Sequence, residues 1–212
     1  MSGAERRTYR SALRTEQAEA TRRRVLAAAA DRFAERGYGH TKLAEIAADA
    51  GVSVETVKGY GPKRALLLAA FEQAFAGSEG SAPLLEREPF TAIEHLEGEA
   101  YLAAGIELIA TANARSAGLW RAFVSAADTE ADVRAVLDQL LDRRRADIGE
   151  TVALLRRRGL VEGGEDARIA AALSFVLSPE GYEQLVLDAG LTERQYRDCL
   201  GRLVAAVLRP GP

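Results

Sequence analysis

One cysteine, two histidines and three lysines among 212 residues leave several kinds of chemistry with little to work on. The lone Cys199 cannot form an intramolecular disulfide or begin a zinc cluster, and His40 and His95 are scant material for a metal site. Long apolar runs are also missing. No stretch approaches the roughly eighteen uninterrupted apolar residues of a spanning helix, and the first thirty residues are rich in arginine and glutamate instead of an apolar signal core. A cytoplasmic chain with no membrane segment, metal or other cofactor is therefore expected. No Gly-rich phosphate loop, GxSxG turn or HExxH helix occurs, and the carboxylates are spread along helix faces, so the chain is not expected to be an enzyme.

What is present suits a folded chain, since 48% of residues are apolar and 28% charged, enough for a core and too apolar for general disorder. The length allows one large domain, or a small domain with a larger companion. Charge is polarised along the chain: residues 1–63 carry +4 and residues 64–212 carry −7. The three lysines, Lys42, Lys58 and Lys63, all fall in one short stretch. A basic segment of this kind is either a solvated face or a nucleic-acid surface.

Glycine and proline separate long Ala/Leu/Arg-rich segments, and alternating apolar and polar runs stay short, so the chain reads as all-α. Residues 1–15 lack periodicity and are expected to be a flexible arm. A first helix is predicted over 17–36, with Val25, Ala29 and Phe33 on one stripe and Gly37 ending it. Thr41 is expected to cap a short helix over 42–50 that Gly51 stops, and Ser53 to cap another beginning at Val54. Two short helices joined through a glycine turn are the signature of a helix-turn-helix. A fourth helix follows Pro62 and runs to about residue 76, and residues 77–83 read as a loop. Further helices are predicted over 89–113, 117–127, 130–158, 166–177, 179–189 and 192–208, the last opened by a Thr192/Gln195 capping box.

The short pair has the chemistry of a reading head. Ala47 is small where two helices cross, and Val52 and Val57 pack the second helix against Ile46 and Phe33. Thr56, Lys58 and Tyr60 are then left facing outward. A helix fits the DNA major groove, where hydroxyl, amide and cationic groups meet base edges and phosphates.

At these residues the chain resembles the tetracycline-repressor (TetR) family of transcriptional regulators. The resemblance is specific over 17–76, carried by VLAAAADRFAERGY at 25–38, the hairpin HTKLAEIAADAGVSVETVKGY at 40–60 and GPKRALL at 61–67. Beyond that it is general. It implies a three-helix DNA-binding domain over 16–61 and a larger helical ligand-binding and dimerisation domain over 62–212. It also implies a homodimer, a palindromic double-stranded operator and a small-molecule ligand. By the resemblance, Thr41 and Lys42 open the positioning helix, Ser53, Val54, Thr56, Lys58 and Tyr60 belong to the recognition helix, and Lys63 reaches a phosphate. One departure stands out: Lys58 occupies the place two after Thr56 where the family usually has an aromatic residue. Only Val57, Lys58, Gly59 and Tyr60 separate Thr56 from Gly61, so a recognition helix shortened at Gly59 is expected. A repressor released by its ligand is the function implied, with a transcriptional activator or a helical protein-binding module as alternatives.

Apolar spacing after residue 166 supplies candidate pairing surface: Ile169, Leu173, Val176, Tyr196, Leu200, Leu203, Val204 and Val207, which either meet a second copy or close the monomer core. In the middle of the chain His95, Leu102, Ile106 and Asn113 fall on one face of the predicted 89–113 helix, as in an apolar pocket with few orienting groups. The histidine and asparagine either orient a ligand or are satisfied within the core. Trp120 and Phe123 form an aromatic wall of that pocket or simply pack. Arg144 interrupts an apolar stripe, which a buried ion pair and an acidic ligand explain equally.

Overall fold

The computed structural model describes residues 3–209, with side chains from residue 14 onward. Helix α1 spans Gly3–His40, and its backbone is interrupted at Gly37, whose φ of 73° lies in the left-handed region that glycine tolerates. The helix thus includes residues 3–15, for which an arm was expected, while residues 1 and 2 of that arm lie outside the described residues. Val25, Leu26, Ala29 and Phe33 form the buried stripe, and Tyr38, beyond the interruption, folds back to stack on Phe33.

The left-handed turn at Gly37 decides the role of Thr41. Expected as a cap, Thr41 is instead 2% exposed, and its hydroxyl donates to the carbonyls of Arg32 (3.1 Å) and Gly37 (2.8 Å). It ties off α1. The cap of α2 (Leu43–Ala50) is Lys42, whose backbone N–H donates to Glu45 Oε2 at 2.9 Å. That bond holds the Glu45 carboxyl below its usual range. Arg32 grips Asp49 with two hydrogen bonds and Arg36 reaches Glu45 at 3.3 Å, bracing α2 across α1. Gly51 ends α2 at φ 65°, and Ser53 caps α3 (Val54–Gly59) by accepting from the Thr56 N–H at 3.1 Å. Helix α3 is short and ends at Gly59, as the spacing predicts. Pro62 caps α4 (Lys63–Ala76) from outside its first turn.

The largest departure from the predicted elements follows α4. A helix over 89–113 cannot form through residue 98, because Gly98 sits at φ 54°. Residues 84–97 instead make irregular chain with two single 3₁₀ turns, Leu84–Glu86 and Thr91–Ile93. Helix α5 then runs unbroken over Gly98–Ala127, with no gap between 113 and 117. That stretch holds neither glycine nor proline, and the buried Ser116 hydroxyl is absorbed by the Ala112 carbonyl at 2.7 Å. The remaining elements are α6 (Ala131–Arg157), α7 (Asp166–Val176), α8 (Pro179–Tyr182) and α9 (Glu193–Leu208), and Glu183–Asp188 continues α8 with wider π geometry. The Thr192/Gln195 capping box opens α9 as predicted. Among the described residues there is no strand, and no helix is long and apolar enough to cross a membrane.

The core of the short helices does not stop at α4. Leu119, Trp120 and Phe123 of α5 and Val133 and Leu137 of α6 belong to the same buried cluster as Phe33, Ile46, Val57 and Phe71. Close approach makes this possible: a Cβ added to Gly118 of α5 would lie 3.0 Å from the Ala34 Cβ of α1. A second cluster joins Tyr101, Val152 and Leu155 to Ile169, Leu173, Val204 and Leu208, and a third gathers Tyr182, Tyr196 and Leu200 around Ala110 and Ala117. Of the residues considered for pairing, Ile169, Leu173, Tyr196, Leu200 and Val204 are therefore spent inside the chain, which corrects their expected outward role. Val176 and Val207 are half-buried. Leu203 remains exposed at 43%, and Phe175 of α7, which no apolar stripe singled out, is exposed at 82%.

Candidate nucleic-acid interface and interior cavity

Val57 is the peg that fixes the reading helix, fully buried beneath α3 among Ile46 and Phe33. With that face committed, Ser53, Thr56 and Lys58 are exposed, and Lys42 is exposed at the cap of α2. The Ser53 and Thr56 hydroxyls lie 2.9 Å apart, and Lys58 Nζ donates to Glu55 Oε1 at 2.9 Å one turn back. Val54 is half-buried and leans on the core. Tyr60 is half-buried beneath the guanidinium of Arg22, 4.8 Å from its ring centre. The Lys63 ammonium sits 4.3 Å over the Tyr38 ring, where partial burial lowers its pKa. Thr41 is closed off and offers no hydroxyl to a phosphate. Sequence reasoning missed Arg22 in this region. It holds Glu79 through two hydrogen bonds of 2.7 and 2.5 Å while covering Tyr60, and the only hint was its place in the run 22–24 of α1.

A cavity of about 300 Å³ lies behind the reading head, between α4, the irregular segment after it, α5, α6 and α7. Leu102, Ile106, Trp120 and Arg144 line it. His95 does not: with α5 beginning at Gly98, it stands exposed in the preceding turn. Asn113 is buried elsewhere, its amide donating to the Tyr196 hydroxyl (3.0 Å) and to the carbonyls of Leu177 and Ser178. It is a knot between α5, α7 and α9. Phe123 is fully buried against Phe71, with ring centres 6.3 Å apart, and faces the joint rather than the cavity. Glu72 of α4, buried and unforeseen, reaches the wall, where Arg143 donates to it at 2.7 Å and the Gly80 N–H at 3.0 Å. A carboxylate inside the apolar run of α4 was the available sign.

Short braced helices with an exposed polar tip, carried on a larger helical body, define an all-α helix-turn-helix protein. In sequence, residues 25–70 match the bacterial regulatory proteins of the tetR family. Residues 25–70 thus carry a DNA-binding domain of the tetR type, joined to a larger helical body. No curated protein matches the chain in sequence. Among solved structures it is similar to a protein of Mesorhizobium loti assigned as a TetR-family transcriptional regulator, at 24% identity, TM-score 0.63, over 90% of this chain and 96% of that one. A protein of Syntrophomonas wolfei with the same assignment shares 18% identity at TM-score 0.68, over 90% and 95% of the two chains. A transcriptional regulator from Saccharomonospora viridis in complex with choline shares 20% identity at TM-score 0.63, over 88% and 96%. At these identities the likeness concerns the fold.

Proposed function

We propose that the chain is a homodimeric repressor that binds a palindromic operator through α2 and α3 and is released by a small molecule held in the cavity. The exposed polar tip of α3, with Val57 pinned beneath it, carries the reading. In this reading Thr56 and Ser53 meet base edges, with Val54 and Tyr60 supporting them. Lys42, Lys58 and Lys63 serve phosphates. The two groups then fail differently. Lys42→Ala weakens binding to every duplex and lowers the salt slope by about 1, whereas Thr56→Ala changes preference among operator variants by about 1–3 kcal/mol at the affected base pair. Binding titrations at several salt concentrations separate the two, and identical profiles would contradict the division.

Release needs a mechanical link, and two run in parallel. Helix α4 carries Lys63 at the reading head and Phe71 and Phe75 at the cavity wall. The Arg22–Glu79 pair joins Tyr60 to the loop whose next residues, Ser81 to Leu85, line the cavity. A ligand favouring one arrangement of that loop shifts the population of the DNA-competent form. Glu79→Gln breaks the strap without touching either site. It is expected to reduce ligand-driven loss of operator binding at least about threefold, within the usual range of coupling energies. An unchanged response would leave α4 as the sole link.

A further inference from the structure

The charged groups that line the cavity are mostly spoken for. Arg143 is paired with Glu72 at 2.7 Å, and Asp147 Oδ1 accepts from the Leu84 N–H at 3.1 Å. Arg87 gives its donors to the carbonyls of Ser78, Gly80 and Ala82. Glu150 is exposed to solvent. Arg144 differs: like Arg87 it makes no ion pair among the described residues, but it is largely withdrawn from water and has a single hydrogen bond, to the Ser174 carbonyl at 2.6 Å. Glu180 acts on it only through space, and its own buried Oε2 has no donor. Burial lowers the Arg144 pKa, yet a guanidinium stays charged in proteins. This half-buried guanidinium, in the wall of a chamber otherwise lined by Phe71, Phe75, Tyr101, Leu102, Ile106 and Trp120, has donors left over for an anion.

We propose that the cavity binds a monocarboxylic acid with an apolar body, its carboxylate held by Arg144 and its hydrocarbon part by the aromatic and aliphatic wall. This rests on the reading of the cavity as the effector site. A guanidinium fork matches a carboxylate in shape, and a single guanidinium with donors to spare suits a monoanion better than a doubly charged phosphate. The same charge opposes a cationic ligand such as the choline bound by the Saccharomonospora viridis protein.

Trp120 is the only tryptophan of the chain and lines the cavity, so its emission reports occupancy directly. Full-length protein is titrated with decanoate, decanol and decyltrimethylammonium, followed by the same titrations of Arg144→Met and Arg144→Lys. The wild-type protein is expected to bind decanoate at least about tenfold more tightly than decanol, with the ammonium compound weakest. Arg144→Met brings the decanoate-to-decanol ratio to about one, and Arg144→Lys keeps part of the preference. Equal binding of decanoate and decanol by wild type, a ratio that survives Arg144→Met, or no saturable response to decanoate would overturn the proposal. Should the methionine variant not fold, the wild-type ratio and the lysine variant still decide. Operator binding by the same preparations is measured separately: loss of sequence-selective DNA binding would sink the regulator reading and leave the carboxylate result standing, and decanoate that binds without weakening operator binding would separate the cavity from regulation.

Discussion

Phe123→Ala is expected to destabilise the chain by about 3–5 kcal/mol and to do so in a single transition that removes reading head and body together. The size follows from complete burial of a large ring with little room for its surroundings to collapse. Its contact with Phe71 lies where α4 and α5 meet, in the cluster that also holds Phe33, Ile46 and Val57. Cooperativity follows from the same continuity. The cluster extends from α1 to α6 without a polar layer, and Gly118 lets α5 approach Ala34 of α1. Chemical unfolding followed by circular dichroism and by Trp120 emission gives the answer. Coincident curves shifted to lower denaturant agree with a shared core, and an early Trp120 transition with the reading head still folded would contradict it.

Replacing Phe175 and Leu203 together by arginine is expected to yield monomers and to weaken operator binding at least about a hundredfold, since a palindrome bound by linked halves gains that much from avidity. These two side chains are the large apolar groups that α7 and α9 leave in water, on helices that pack against each other. The core residues of the same helices, Ile169, Leu173, Leu200 and Val204, point away from these two positions and are buried in the monomer, so charge placed at 175 and 203 disturbs pairing without opening the core. Sedimentation of the variant beside operator titration tests this. A variant that remains dimeric, or a wild-type protein that is already monomeric at concentrations where it binds operator, would contradict the pairing surface.

The helix-turn-helix was legible because its determinants are local. Gly37, Gly51 and Ser53 act within a turn of where they stand, and Val57 is apolar at the one inward position of a short helix. Thr41 was misread for the same reason in reverse: proximity to α2 suggested a cap, while the left-handed Gly37 swung its hydroxyl back into α1. His95 was placed on a helix by apolar spacing that continued through Pro89 and Gly98, and the backbone at Gly98 forbids that continuation. Spacing marks which face of a helix is buried but not what buries it. Tyr196, Leu200 and Val204 have the pattern of a contact surface and close the monomer core instead, and Phe175 lies off the stripe and is exposed. Asn113 was seen as polar within an apolar face, and only the fold shows that its amide nitrogen donates to Leu177, Ser178 and Tyr196. Arg144 was equally open between an ion pair and an acid ligand, because its spacing does not show that its hydrogen bond goes to the Ser174 carbonyl.

Selection of preferred duplexes from random DNA by the purified protein tests the account most directly. Recognition by paired α3 helices predicts enrichment of a palindrome whose half-sites lie about one helical turn, 34–36 Å, apart or a multiple of it, with Thr56→Ala altering bases within each half and leaving their spacing unchanged. Enrichment of no sequence, or of an asymmetric site indifferent to residue 56, would contradict it.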